Sequence, residues 1–141
     1  MDQHGSEHAR QEQRQIFDNE VAKNPELLTY QISHFERRNQ AVWLREPGKG
    51  NTRTRAQGEI AHIHPSDGSM HMTLSPSDAK TVIEAGWGEL HPLAGLNEGL
   101  PATYIMIYSP RSTEANAVIE RILKAAVEYA AGPLLKEQRP R

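Results

Sequence analysis

The stretch "EIAHIHPSDGSMHMTL", Glu59 to Leu74, constrains the fold of this chain more than any other. Pro65 fixes φ and Gly68 is free to take φ > 0, so "PSDG" reads as a turn. On either side, polar and apolar residues alternate with the period of two that strands require. Ala61 and Ile63 oppose His62 and His64 before the turn; Met70, Met72 and Leu74 oppose Ser69, His71 and Thr73 after it. The same alternation fixes the pairing. A four-residue loop sets His64 opposite Ser69, Ile63 opposite Met70, His62 opposite His71 and Ala61 opposite Met72, whereas a slip of one residue would mix polar and apolar groups on both faces. One face of the hairpin is then apolar. The other collects three imidazoles on β-carbons about 4.5–5.5 Å apart. By parity Glu59 falls with Ala61 and Ile63, away from the histidines, and reads as a strand-start salt bridge.

The rest of the chain supplies partners for that hairpin. The first two dozen residues are polar and weakly amphipathic, with Ile16, Phe17 and Val21 as contacts, and read as a peripheral helix or arm. In "NPELLTYQISHFERRN" the spacing predicts a helix: Asn24 caps it and Pro25 takes the first position. Leu28, Ile32 and Phe35 recur on one side, and Arg37 and Arg38 complement the dipole at its end. "AVWL", 41–44, is a short strand, and "REPGKGNTRTRAQG" an exposed loop in which Arg53 and Arg55 are solvated. "SPSDAKTVIEAG" predicts a helix capped by Ser75, with Ala79, Val82 and Ile83 buried and Gly86 ending it. "TYIMIY" predicts a strand, and Ser112 to Ala131 a long amphipathic helix closed by Gly132-Pro133. The expected fold is α+β, a small, mostly antiparallel sheet with helices packed on one face. Its expected divisions are a helical segment over 1–40, an α+β core over 41–132 and a polar tail over 133–141.

Composition narrows the function classes. A length of 141 residues suits one domain that buries roughly two-thirds of its unfolded surface. The net charge of −2 gives no broad basic field for nucleic acid or a membrane surface. There is no cysteine, so disulfides and thiolate metal sites are excluded. No apolar run approaches the ~20 residues of a membrane span, and "MDQHGSEHAR" has no signal-peptide core. A cytoplasmic protein with a small-molecule partner is the expectation; the sequence leaves its oligomeric state open.

Three readings of the histidines compete. They can be a solvated sheet face. They can be a mononuclear metal site, with His62, His64 and His71 as ligands to a divalent cation and His91, from "GWGELHPLAG", as the fourth. In "PSDGSM" the nearest carboxylate, Asp67, is one the turn needs for itself. Or they can perform metal-free acid–base chemistry on a bound organic molecule, which is the favoured reading.

"GEIAHIHPSDGSMHMTLSP", "VIEAGWGELHPLAG" and "YSPR" before a long amphipathic helix together resemble the luciferase domain of bioluminescent fungi and its non-luminous relatives. The similar region runs from about Glu59 to Tyr129. The resemblance implies an enzyme that lets molecular oxygen attack an enolisable, hydroxylated α-pyrone or polyketide-like compound, with no organic cofactor. The matching positions are Glu59, His62, His64, His71, Trp87, His91, Tyr108 and Arg111. The implied catalytic set is His62, His64, His71 and His91. Arg111, Trp87, Tyr108, Tyr104 and Ser69 are the candidates for substrate contact. Leu90 stands where luminous members carry a basic residue, a departure that bears on light emission and substrate rather than on fold. The same histidines also allow an oxygen-independent isomerase, dehydratase, cyclase or decarboxylase, or a non-catalytic small-molecule or metal binder.

Overall fold

The computed structural model describes residues 3–47, 50, 58–96 and 100–132. Among these residues three helices and six strands follow one another as α1 (Gln3–Lys23), β1 (Leu28–Ile32), β2 (Gln40–Leu44), β3 (Glu59–Ile63), β4 (Met70–Thr73), α2 (Pro76–Glu84), β5 (Gly88–Leu90), β6 (Tyr104–Ile107) and α3 (Thr113–Ala131). The strands form one antiparallel sheet in the order β1-β2-β3-β4-β6-β5. This is the α+β architecture that the sequence predicts.

The hairpin has the register its pattern demands. Ala61 pairs Met72, His62 pairs His71 and Ile63 pairs Met70, and the His64 amide donates to Ser69 O at 2.8 Å. Asp67 is consumed by the turn, accepting from the Ser69 amide at 2.9 Å and from Ser69 Oγ at 2.7 Å. Gly68 has φ +79, and a β-carbon there would meet Ser109 Oγ and Arg10 Nε, so both conformation and space require glycine.

One row of paired residues crosses the whole sheet: Tyr30, Val42, Ala61, Met72, Ile105 and Leu90. With Ile63, Met70 and Ile107 all of this row but the exposed Leu90 forms the face on which the helices pack, through Phe17 of α1, Ala79 and Val82 of α2, and Ile119, Leu123 and Val127 of α3. Ser75 caps α2 by accepting from the Asp78 amide at 3.1 Å, as predicted, but Ile83 turns outward and stays exposed.

Two elements differ from the sequence reading. The predicted helix over 24–39 is instead a turn, strand β1 and a second turn over 33–39. Leu28 and Ile32 are four residues apart, a spacing that satisfies a helical stripe and an alternating strand equally. Tyr30 between them decides for the strand, because it continues the apolar row of β2. The stretch after Gly86, to which the sequence pattern assigns no element, forms the short edge strand β5 against β6. Residues 51–57, with Arg53 and Arg55, and the tail over 133–141 lie outside the described residues.

Candidate functional site

The face of the sheet away from the helices carries His62 and His71, paired across β3 and β4, with Tyr104 and Met106 of β6 beside them. His64, at the end of β3, completes the imidazole group; ring centroids are 5.0 Å apart for His62–His71, 5.3 Å for His62–His64 and 4.5 Å for His64–His71. This face is not open to solvent. The 33–39 turn lies over it: Phe35 packs on Tyr104 at 4.9 Å, and His62 is 1 % exposed.

That turn also delivers a carboxylate that sequence reasoning missed. Glu36 Oε1 lies 3.1 Å from His62 Nε2 and 2.9 Å from His64 Nδ1. Ser33 Oγ caps the turn by accepting from the Glu36 amide at 3.1 Å. Arg37, the only non-glycine described residue with positive φ (62°), bends the chain immediately after Glu36. Strain of this kind persists where the surroundings hold it in place. A helix over 24–39 would have left Glu36 on a distant surface.

Glu59 joins the cluster as well, contrary to its parity. A register shift between Val42 and Trp43 pairs Val42 with Ala61 but Trp43 with Glu59, leaving Ile60 as the extra residue of a β-bulge. Ile60 therefore enters the apolar core, and Glu59 points to the histidine side. Its Oε2 lies 2.9 Å from His62 Nδ1, and its Oε1 accepts from the His34 amide at 2.7 Å.

His62 thus has a carboxylate at each ring nitrogen, the pair with Glu59 withdrawn from water and the pair with Glu36 partly open to it. A neutral imidazole has one N–H and ionised carboxylates only accept, so one of the two contacts lacks a hydrogen. The arrangement calls for one further positive charge between Nε2 and Glu36, either a proton or a metal ion. One donor atom each from Glu36, His62, His64 and His71 lies within 4.8 Å of the others, a set able to hold a cation. The fourth member is Glu36 rather than His91.

His91 stands behind this group. Its ring is 5.4 Å from that of His71 and 5.5 Å from Tyr104, and the strand β5 holds it there through the His91 amide's bond to Tyr104 O at 3.0 Å. Its Nδ1 accepts from the Leu93 amide at 3.1 Å, so a neutral His91 carries its proton on Nε2. Burial, then His62, His64 and His91, push the His71 imidazole down to about 3, leaving it a neutral ring near neutral pH. Burial, with Glu59 and Glu36, raises the Tyr104 phenol, which stays protonated. A cavity of about 530 Å³ opens on Glu36 and His64, bounded by Arg38, Asn39, Pro65 and Ser66.

Residues 57–126 match the family described as Luciferase domain. The chain belongs to the luciferase-domain family. Luciferases of Armillaria gallica and Armillaria mellea are each 34 % identical to it over 119 residues, 77 % of this chain and 45 % of theirs. A luciferase of Neonothopanus nambi is 40 % identical over 81 residues, 56 % of this chain and 30 % of its own. The chain therefore spans less than half the length of these curated relatives. No solved structure matches it. Glu59, the three clustered histidines and His91 lie inside the luciferase-domain match, and Glu36 lies before it.

The remaining sequence candidates are distributed unevenly. Tyr104 is at the cluster. Trp87, Tyr108 and Arg111 gather around a separate cavity of about 370 Å³ that none of the histidines lines. Ser69 is held by Asp67. Among the described residues no helix is long and apolar enough to cross a membrane.

Proposed function

We propose that this luciferase-domain protein is a cytoplasmic enzyme that oxygenates an enolisable, hydroxylated pyrone- or polyketide-like small molecule. Its reaction centre is the Glu36/His62/His64/His71 cluster, whose side chains would hold a divalent cation. The proposal involves no organic cofactor, nucleic acid or membrane. What supports it is the convergence of four donors within 4.8 Å, together with Glu59 on the far nitrogen of His62. A carboxylate behind a ligating imidazole fixes its tautomer and strengthens it as a ligand. Histidine and carboxylate ligands suit zinc or another first-row cation, whose chemistry is Lewis-acid stabilisation of a bound enolate.

The protein groups divide the remaining work. His91 presents Nε2–H, a donor for developing negative charge on a substrate oxygen. Phe35, packed on the buried Tyr104, closes the cluster's far side, so a substrate reaches it from the cavity that opens on Glu36 and His64. A substrate that has given its enol proton to water and binds as the enolate supplies the electron pair for the new carbon–oxygen bond, and molecular oxygen is reduced to the peroxide level as that carbon is oxidised.

A second reading keeps the same residues without metal. Glu36 then shares a proton with His62, and the His64 Nε2–His71 Nδ1 contact of 3.2 Å continues the relay. Elemental analysis of untagged protein separates the two: about one equivalent of metal, lost in Glu36→Gln, is expected, and metal-free protein of full activity would exclude the cation. Oxygen uptake with a hydroxypyrone tests the reaction, and undiminished turnover under argon would replace the oxygenase with an isomerase or decarboxylase.

A further inference from the structure

The three clustered imidazoles are not held equally. His62 pairs Ala41 on one side and His71 on the other, and His71 pairs Met106 beyond it, so the sheet fixes both. His64 lies one residue past the last β3–β4 pair, Ile63 with Met70, and its side chain is 27 % exposed where that of His62 is closed off. Its amide donates to Ser69 O at 2.8 Å and its carbonyl accepts from the Gly68 amide at 2.9 Å. The backbone of His64 is therefore tied to the turn rather than to a neighbouring strand, and its ring is placed only as well as the turn is.

That turn has little packing of its own: Pro65, Ser66 and Asp67 are exposed, and only Gly68 is buried. What grips it is α1. Arg10 Nη2 donates to Pro65 O and Gln13 Nε2 to Gly68 O, each at 2.7 Å, one bond at either end of the turn. The two side chains are three residues apart and so share one face of the helix. Gln13 is fully buried, and its Oε1 has no partner among the described residues. An unpaired buried amide oxygen is unfavourable, and a methionine would fill the same space without one. Packing thus does not call for glutamine at this position; the bond to Gly68 O does.

We propose that Gln13, with Arg10 beside it, is a positioning residue for the histidine cluster. By holding both ends of the 65–68 turn, α1 sets His64 Nδ1 at 2.9 Å from Glu36 Oε1 and His64 Nε2 at 3.2 Å from His71 Nδ1. The same grip shapes the entrance, since Pro65 and Ser66 line the 530 Å³ cavity together with Glu36 and His64. Helix α1 lies outside the 57–126 match, so this part of the site is supplied by residues beyond the luciferase domain itself. What His64 then does, ligate a cation or relay a proton, rests on the enzymatic reading above; the placement of its ring does not.

The test records long-range ¹H–¹⁵N spectra of the histidine rings in the whole chain, with the His64 signals identified by their loss in His64→Gln. Gln13→Met is expected to shift and broaden the His64 signals while those of His62, whose ring the sheet and Glu59 hold, stay in place. Arg10→Met does the same more weakly, and Arg10→Lys, which keeps a donor for Pro65 O, restores the wild-type spectrum. Zinc affinity in Gln13→Met falls about ten-fold, the lower end of the effect for groups that act behind a ligand, with the unfolding midpoint nearly unchanged. In a His64→Gln background the same substitution costs no further affinity, because the residue it acts through is gone. Unchanged His64 signals in both methionine variants overturn the proposal. So does an affinity loss that persists in the His64→Gln background or is matched by a falling midpoint, since either makes Gln13 a folding residue. Wild-type protein that takes up no zinc removes the cation from the proposed function, and the ring signals still decide the placement of His64.

Discussion

The two faces of this one sheet are built on opposite principles. On the helix side, Met70, Met72, Ile105 and Ile107 are all fully buried, and any close-packed apolar set of the right volume would serve. On the other side, His62 and Glu59 are nearly as buried, yet each polar atom needs a particular partner. The first face comes from local alternation alone. The second is assembled from the 33–39 turn, β3, β4, β6 and the residue after β5, five segments spread over more than half of the chain. Stability is therefore expected to reside on the apolar face and selectivity on the histidine face.

Substitutions that uncouple the two faces test this contrast. Ile105→Ala empties the centre of the apolar row, and its cost is expected to be about 2–5 kcal/mol. Denaturant unfolding reads that loss, while metal bound per folded molecule stays unchanged; a parallel fall in metal content would mean the faces are not separable. Glu59→Gln keeps an acceptor for His62 but removes the charge behind it. Metal affinity is expected to fall about 10–100-fold, as for other groups behind a ligand, with a smaller shift in unfolding midpoint than Ile105→Ala gives. If instead the midpoint falls and the affinity holds, Glu59 is a folding residue. The smallest effect is expected from Ser75→Ala, which removes the α2 cap at a cost of about 1 kcal/mol. Calorimetry should register it with no change in metal binding, since α2 packs Ala79 and Val82 into the apolar core.

The legibility of the two faces follows the same division. The hairpin register was readable because a slip would expose Met70 and Met72 and bury polar groups, a penalty spread over every pair. The cap at Ser75 was readable because a cap acts within three residues. Glu36 was hidden by the ambiguous spacing of Leu28 and Ile32, although the alternation of Leu28, Tyr30 and Ile32 with Thr29 and Gln31 was a strand signal present in the chain. Glu59 was hidden by a bulge, which inverts parity and leaves no mark in the pattern of β3 itself.

By itself, then, the sequence determined that three imidazoles share one side of a hairpin, because side-chain alternation and turn chemistry are short-range and act on neighbours. Only the tertiary structure decided that two carboxylates meet them. Glu36 arrives on a turn 26 residues away from His62, and Glu59 is rotated into place by the way β2 pairs with β3. Contacts of that kind depend on where separate segments dock, and docking is set by the packing of the whole sheet rather than by any stretch within it.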